Sequence, residues 1–183
     1  HVKDIFAVGD CAQKRDFVTR ARVSTMLAST ACAEARIAGM NLFNLNVVKT
    51  FSGTIAIYST AIGNTGFGTA GVTEARAKAE GIDSITGTFE GVDRHPGNLP
   101  DSHKQLVKLI AARHSGVIIG GEVIAGLSAG ELTNVLGLII QNRMSVNSLL
   151  TSQIGTHPCL TASPAGYPLI KAAEIIAGKM RNR

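Results

Sequence analysis

The sequence predicts an α+β protein in which helices cover a mostly antiparallel sheet. Residues 104–112 and 117–125 are strand-like apolar runs separated by RHSG, where Gly116 can supply the left-handed residue of a β-hairpin. Residues 84–92 (SITGTFEGV) alternate with the period of two that is typical of a strand. A long apolar stripe at helical spacing lies within residues 128–144. Together these patterns favour a sheet packed against helices.

The bulk composition agrees with one globular domain, or with one domain and part of another. The 183 residues are 45% hydrophobic and 17% charged, with a net charge of +5, so a buried core is expected. No basic run is interleaved with aromatic residues, so we expect no nucleic-acid partner, although an anionic cofactor or substrate fits the charge. No apolar run is long enough to predict a membrane span. Three separated cysteines and no recognisable signal peptide favour the cytoplasm.

The first fifty residues predict a strand, a loop and a helix. The strand is expected at Val2–Val8 and the connecting loop at Gln13–Thr25. Residues 24–44 predict one helix, which Ser24 or Thr25 can cap. Small residues recur along this helix at spacings of three and four: Ala28, Ala31, Cys32, Ala35 and Ala38 or Gly39. Such a face lets a helix approach another backbone or a flat ligand closely.

We place a domain boundary in the linker at residues 45–51, which divides the chain into residues 1–50 and 51–183. After the linker we expect a strand at Thr54–Tyr58, a flexible glycine-rich link at Gly63–Gly71, and a helix at Val72–Glu80 that Thr73 caps and Gly81 ends. The last predicted elements are a short helix at Val146–Gln153, an irregular segment at His157–Pro168, and a helix at Leu169–Met180.

The helix at Ser128–Met144 is predicted to begin with a capping box of Ser128 and Glu131. Its apolar stripe consists of Leu132, Val135, Leu136, Ile139 and Ile140. This stripe has two interpretations, namely the core of the domain or a self-complementary dimer interface.

Two features stand in an order that closely resembles the C-terminal part of the pyridine nucleotide-disulphide oxidoreductases. DIFAVGDCA (residues 4–12) precedes LASTACAEARIAGMNL (residues 27–42), and KLIAARHSGVIIGGEVIAG (residues 108–126) precedes a long helix. Within that superfamily the chain resembles the NADH oxidases and coenzyme A-disulphide reductases. The resemblance implies that residues 1–50 are the end of an FAD-binding domain and that residues 51–183 are the dimerisation domain.

The resemblance also implies a larger enzyme, a homodimer, in which NAD(P)H reduces FAD and electrons pass on to oxygen or a disulphide. NAD(P)H would be bound by a domain outside this chain, because Gly63, Gly66 and Gly68 do not have the spacing GxGxxG. We therefore expect the 183-residue chain to be inactive by itself. The alternative hypothesis is a free-standing α+β protein-interaction module without a cofactor.

For the cofactor, the resemblance implies contacts at Gly9, Asp10, Leu27, Ala28 and Ser29. A carboxylate such as that of Asp10 can accept a hydrogen bond from a ribityl hydroxyl, and Gly9 lets the backbone come close. The helix start at Leu27–Ser29 would turn its N–H groups toward the flavin. The alternative for Asp10 is an aspartate that caps a turn. The alternative for the helix start is a face of small residues used only for packing.

For catalysis, the resemblance indicates His157 or Tyr167, either of which would act in the partner's active site. Ala162 stands where a glutamate would orient His157, so a loop histidine with local partners is the competing interpretation. For Tyr167, the competing interpretation is a tyrosine buried in an interface. The spacing of Cys159 from His157 does not by itself make a nucleophile, and no metal site is expected. Cys11 and Cys32 are predicted to be packed thiols.

Overall fold

The computed structural model describes residue 2, residues 5–44 and residues 52–182. The chain divides into two compact units, His1–Ala56 and Ile57–Arg183. The predicted linker at residues 45–51 lies outside the described residues. Within the described ranges, no helix combines the length and the apolar character that crossing a membrane requires.

The first unit contains a short hairpin, made of β1 (Lys14–Arg15) and β2 (Arg22–Val23) in antiparallel pairing. It lies inside the predicted loop, so the prediction of a loop without strands was wrong. Asp16 forms the turn, because its Oδ1 accepts hydrogen bonds from the N–H groups of Val18 and Thr19.

The strand predicted at Val2–Val8 is not formed by its described residues. Within the described part of the unit, β1 and β2 pair with each other, and no strand lies beside residues 5–8. A strand needs such a partner for its backbone hydrogen bonds, and without one an apolar alternation does not produce a strand. A short 3₁₀ turn at Gly9–Cys11 follows this extended segment.

Helix α1 spans Ala28–Met40 and is shorter than predicted. Its N-cap is Leu27, with no side-chain hydrogen bond, so the predicted caps Ser24 and Thr25 are wrong. Thr30 is its buried residue, and the Thr30 hydroxyl lies 2.6 Å from that of Thr54. Cys11 and Cys32 are both exposed, contrary to the prediction. The turn that contains Cys11 buries Gly9, and the helix that contains Cys32 buries Thr30.

The second unit is built on a five-stranded antiparallel sheet with the order β3-β4-β7-β6-β5. Its strands are β3 (Ile57–Ile62), β4 (Thr65–Gly71), β5 (Ser84–Val92), β6 (Lys104–Ala112) and β7 (Ile118–Ala125). The predicted bounds of β5 and β6 are confirmed. Gly116 has φ +67° in the turn before β7, as the hairpin prediction requires.

The remaining helices are α2 (Glu74–Ala79), α3 (Ala129–Gln141), α4 (Val146–Leu150) and α5 (Pro168–Arg181). Thr73 caps α2 as predicted, since its side chain accepts a hydrogen bond from Arg76 N. The predicted capping box of α3 is wrong. Ser128 has helical φ/ψ angles and makes no cap bond, and its Oγ is 2.8 Å from Gln105 Nε2 instead.

Helices α3 and α5 cover the same face of the sheet. A Cβ atom placed on Gly121 would lie 3.0 Å from Leu136 of α3, and one on Gly87 would lie 2.8 Å from Ile176 of α5. Leu109 is paired with both glycines in the sheet, so all three residues share one face. The largest fully buried apolar side chains come from the sheet and from helices α3, α4 and α5: Leu109, Ile110, Ile118, Leu136, Ile140, Leu169, Ile176, Val107, Val123 and Val146.

The glycine-rich segment Gly63–Gly71 is a tight turn followed by strand β4, and not the flexible link predicted for it. Gly63 forms the turn between β3 and β4 with φ +58°. Gly66 and Gly68 let α3 approach β4, because a Cβ on Gly68 would lie 1.8 Å from Thr133 Oγ1. The predicted strand Thr54–Tyr58 is confirmed at Ile57 and Tyr58, where β3 begins. It is wrong at Thr54, which instead forms an isolated bridge with Asp16 in the first unit.

Candidate functional site

The first unit places Gly9 against helix α1. Gly9 is buried and has φ +71°, which is the left-handed region that favours glycine. A Cβ atom on Gly9 would lie 3.4 Å from the Cβ of Ala31, which stands at the start of the second turn of the helix. The 3₁₀ turn Gly9–Cys11 and the beginning of α1 are therefore neighbours.

Two charged side chains hold Gly9 in this position. Lys14 Nζ donates hydrogen bonds to Gly9 O at 2.5 Å and to Glu34 Oε2 at 2.8 Å. Glu34 Oε2 also accepts a hydrogen bond from Gly9 N at 2.7 Å. Sequence reasoning missed this pair. The two residues are 20 positions apart, and no local spacing links a lysine in a hairpin with a glutamate in the middle of a helix.

Asp10 is exposed, and no hydrogen bond reaches its carboxylate from the described residues. The N–H groups at the start of α1, from Ala28 to Thr30, precede the first helical hydrogen bond, which joins Ala31 N to Leu27 O. The unit therefore combines an open carboxylate, a glycine that allows close approach, and open N–H groups at a helix start.

This combination fits the expected FAD contacts in chemical type. A sugar-like polyol needs a carboxylate acceptor, and an electron-rich ring system is stabilised by N–H groups at the positive end of a helix. The predicted residues Gly9, Asp10, Leu27, Ala28 and Ser29 all lie in these two neighbouring segments. Their role toward a flavin stays a prediction.

His157 lies in an exposed turn of the second unit. Its N–H donates to Thr161 Oγ1 at 2.9 Å, and its Nδ1 accepts from Cys159 N at 3.2 Å. Among the described residues, no carboxylate pairs with this imidazole. Ala162 is buried, with 3% of its surface exposed. The surroundings are those of a loop histidine with local partners. Cys159 is a free, exposed thiol.

Tyr167 is half-buried and is the N-cap residue of α5. Burial raises the pKa of its phenol above the ordinary value of 10.0. The phenol therefore keeps its proton at neutral pH and can donate a hydrogen bond. Of the two candidates, His157 is exposed, whereas Tyr167 is partly shielded from water.

Helix α3 leaves apolar side chains uncovered in the single chain. Leu138 is 59% exposed, Val135 is 37% exposed, and Leu127, just before the helix, is 97% exposed. Val135 was predicted to belong to the apolar stripe, whereas Thr133 and Gly137 take buried positions in its place. Thr133 fits because it faces Gly68 of β4, and Gly137 fits because it faces the side chain of Ile57 in β3.

Residues 57–165 match the family described as "Pyridine nucleotide-disulphide oxidoreductase, dimerisation domain". The match covers the whole sheet and helix α3. The chain belongs to the pyridine nucleotide-disulphide oxidoreductases. The resemblance seen in the sequence is therefore confirmed, and so is the fold class, an antiparallel sheet covered by helices.

Known oxidoreductases of this family are similar over most of the chain. An NADH oxidase of Enterococcus faecalis is 29% identical over 85% of the chain, which spans 34% of that enzyme. A dihydrolipoyl dehydrogenase of Halobacterium salinarum is 29% identical over 87% of the chain, which spans 31% of that enzyme. The chain thus spans about a third of the length of the relatives it matches.

A solved structure of an NAD-dependent persulfide reductase from A. fulgidus superposes on 97% of the chain with a TM-score of 0.84 and 25% identity. The chain covers 32% of that oxidoreductase. The superposed part therefore includes residues of both units.

Three glycines of β4 match a nucleotide-binding spacing without forming a nucleotide-binding loop. Gly66, Gly68 and Gly71 do have the spacing GxGxxG, which the sequence reasoning overlooked. In the structure these glycines belong to β4, an antiparallel strand between β3 and β7. A dinucleotide-binding loop joins a parallel strand to a helix N-terminus, so this segment is a packing strand within the dimerisation domain.

Proposed function

We propose that the chain is the FAD-contacting and dimer-forming part of an FAD-dependent NAD(P)H oxidoreductase of the NADH oxidase type. The observation that carries the proposal is the meeting of the Gly9–Cys11 turn with the start of α1 in a chain whose second unit belongs to the dimerisation-domain family. The similar NADH oxidase and dihydrolipoyl dehydrogenase support the class of reaction.

In this proposal, Asp10 binds the ribityl part of FAD, and Gly9 allows the close approach of the backbone. The N–H groups at Leu27, Ala28 and Ser29 stabilise negative charge on the flavin. When bound, FAD supplies the redox chemistry, in which it takes hydride from NAD(P)H and passes electrons to the acceptor. Because the chain spans only about a third of its relatives, we propose that it has no NADH turnover by itself.

The second part of the proposal is a homodimer formed through the exposed apolar side of α3. A two-fold interface brings the same patch of both protomers together, and Leu138 and Val135 supply such a patch.

We further propose Tyr167, in preference to His157, as the residue that acts toward the partner's flavin site. Its phenol is partly shielded and stays protonated, whereas no carboxylate among the described residues orients His157. The free thiols of all three cysteines support a reducing compartment, such as the cytoplasm.

The test of the cofactor site is the FAD affinity of the full-length flavoprotein that carries this chain. We expect Asp10→Ala to raise the dissociation constant of FAD by about tenfold or more, since hydrogen bonds to a charged group are lost. Glu80→Ala removes an exposed carboxylate in the second unit and serves as the control, with an unchanged constant. An Asp10→Ala enzyme that binds FAD as tightly as the wild type would contradict the proposal.

A further inference from the structure

We infer that Lys14 and Glu34 are positioning residues for the flavin, and that they act by fixing the Gly9 peptide groups that precede Asp10. This inference rests on the proposed FAD site. It adds two residues that the sequence motif does not include, since neither belongs to the Gly-Asp turn nor to the first turn of α1.

The pair holds both peptide groups around the Cα atom of Gly9. The N–H of Gly9 donates to Glu34 Oε2, and the C=O of Gly9 accepts from Lys14 Nζ. That carbonyl belongs to the peptide that also contains the Asp10 nitrogen. Because a peptide group is planar, holding its oxygen also fixes the direction in which the chain enters Asp10.

Gly9 is the residue at which such control is needed. Glycine reaches both positive and negative φ with little cost, so the φ of +71° at this position has no side chain of its own to enforce it. Ala12 N also donates a 3.0 Å hydrogen bond to Gly9 O within the turn. Without the two side-chain hydrogen bonds, this backbone bond alone would hold the peptide before Asp10, and the N–H of Gly9 would lose its acceptor. The backbone of Asp10 would then be less well defined before a ligand arrives, and ordering it on binding would reduce affinity.

The burial of the pair indicates a role beyond stability. The side chain of Lys14 is 5% exposed and that of Glu34 is 12% exposed. Buried ion pairs often stabilise a fold no better than apolar residues of the same size, because both charges lose their hydration. Lys14 is buried and donates its hydrogen bonds to one backbone carbonyl and one glutamate. We therefore assign the pair the role of defining the geometry of this turn.

The experiment compares three variants of the full-length flavoprotein. Lys14→Met removes the charge and keeps the length, and Glu34→Gln keeps an oxygen that can accept from Gly9 N. Arg36→Met removes an exposed cation from the same helix and is the control. We expect the FAD dissociation constant to rise about tenfold or more for Lys14→Met and less for Glu34→Gln. For Arg36→Met it should stay within about twofold, at similar apoprotein melting temperatures.

A second readout needs no flavin. In the 183-residue chain, Lys14→Met should shift the amide NMR signals of Gly9 and Asp10, whereas Arg36→Met should leave them in place. The inference is overturned if the wild type binds FAD and both variants, Lys14→Met and Glu34→Gln, bind it as tightly as the wild type does. A wild type that binds no FAD would instead refute the proposed function, and this inference with it. If Lys14→Met fails to fold, the Glu34→Gln result decides.

Discussion

At the scale of the residue, Lys108 forms a charge cluster on the face of the sheet opposite α3 and α5. Its Nζ lies 2.7 Å from Glu74 Oε2 and 3.6 Å from Glu122 Oε2. The hydrogen bond and the charge of Lys108 hold the pKa of Glu74 below its ordinary value of 4.5. Chiefly through the hydrogen bond to Glu74, the pKa of Lys108 is raised above 10.5.

These shifts predict the pH range in which the pair stabilises the fold. A lowered carboxyl pKa contributes stability above pH 4.5 that is lost as the pH falls through the folded-state pKa. A raised lysine pKa contributes stability below pH 10.5 that is lost as the pH rises through the folded-state pKa. The pair is therefore fully effective at neutral pH.

We expect Glu74→Gln to lower the free energy of unfolding at pH 7 by at most about 1 kcal/mol, because Glu74 is largely exposed and solvent screens the pair. The difference from the wild type should shrink below pH 4.5, where the wild-type carboxyl takes up its proton. Urea unfolding between pH 3 and pH 7 measures this. Glu90→Gln, which breaks an exposed pair with Lys104, should have almost no effect. A Glu74→Gln difference that did not depend on pH would contradict the assignment.

At the scale of the element, the approach of α3 to β4 depends on the glycines of the strand. Thr133 on α3 is buried and donates its hydroxyl hydrogen bond to Ala129 O at 2.7 Å, so it cannot move away easily. Gly68 faces this hydroxyl without a side chain. Helix and strand can therefore pack closely only while that position stays glycine.

We expect Gly68→Ala to destabilise the second unit by about 1–3 kcal/mol, the usual range for overpacking. The matched control is Gly178→Ala in α5, where an added Cβ meets no atom within 4 Å. It should be neutral or stabilising by up to about 1 kcal/mol, because alanine favours a helix. Thermal unfolding of both variants gives the comparison. Equal melting temperatures for the two would show that β4 tolerates a side chain at this position.

At the scale of the whole molecule, the proposed dimer depends on the uncovered side of α3. An exposed leucine beside a partly exposed valine on one helix face can form the centre of an interface. In a two-fold dimer, each protomer would contribute this patch once. One substitution therefore changes the interface twice.

We expect Leu138→Lys to convert a dimer of the 183-residue chain into a monomer, since two lysines would face each other across the axis. Thr88→Lys adds the same charge to an exposed position of β5, on the other face of the sheet, and should leave the dimer intact. Sedimentation velocity gives the mass of each variant. A Leu138→Lys chain that remained dimeric would place the interface elsewhere.

The features that the sequence predicted correctly depend on neighbours along the chain. The alternation of residues 84–92, the turn at Gly116 and the cap at Thr73 each arise within a few residues, and the structure has all three. The pairing of the Gly-Asp turn with a later helix was reached only through the resemblance to a family. Composition and periodicity alone did not contain it.

The sequence by itself thus determined the antiparallel sheet, most of its strands, and the family to which the chain belongs. Only the tertiary structure decided what Gly66 and Gly68 do, where α1 begins, and that Lys14 and Glu34 hold Gly9. The physical reason is the range of the forces involved. Turn and strand preferences are local, whereas close packing and buried ion pairs join residues that are distant in the chain.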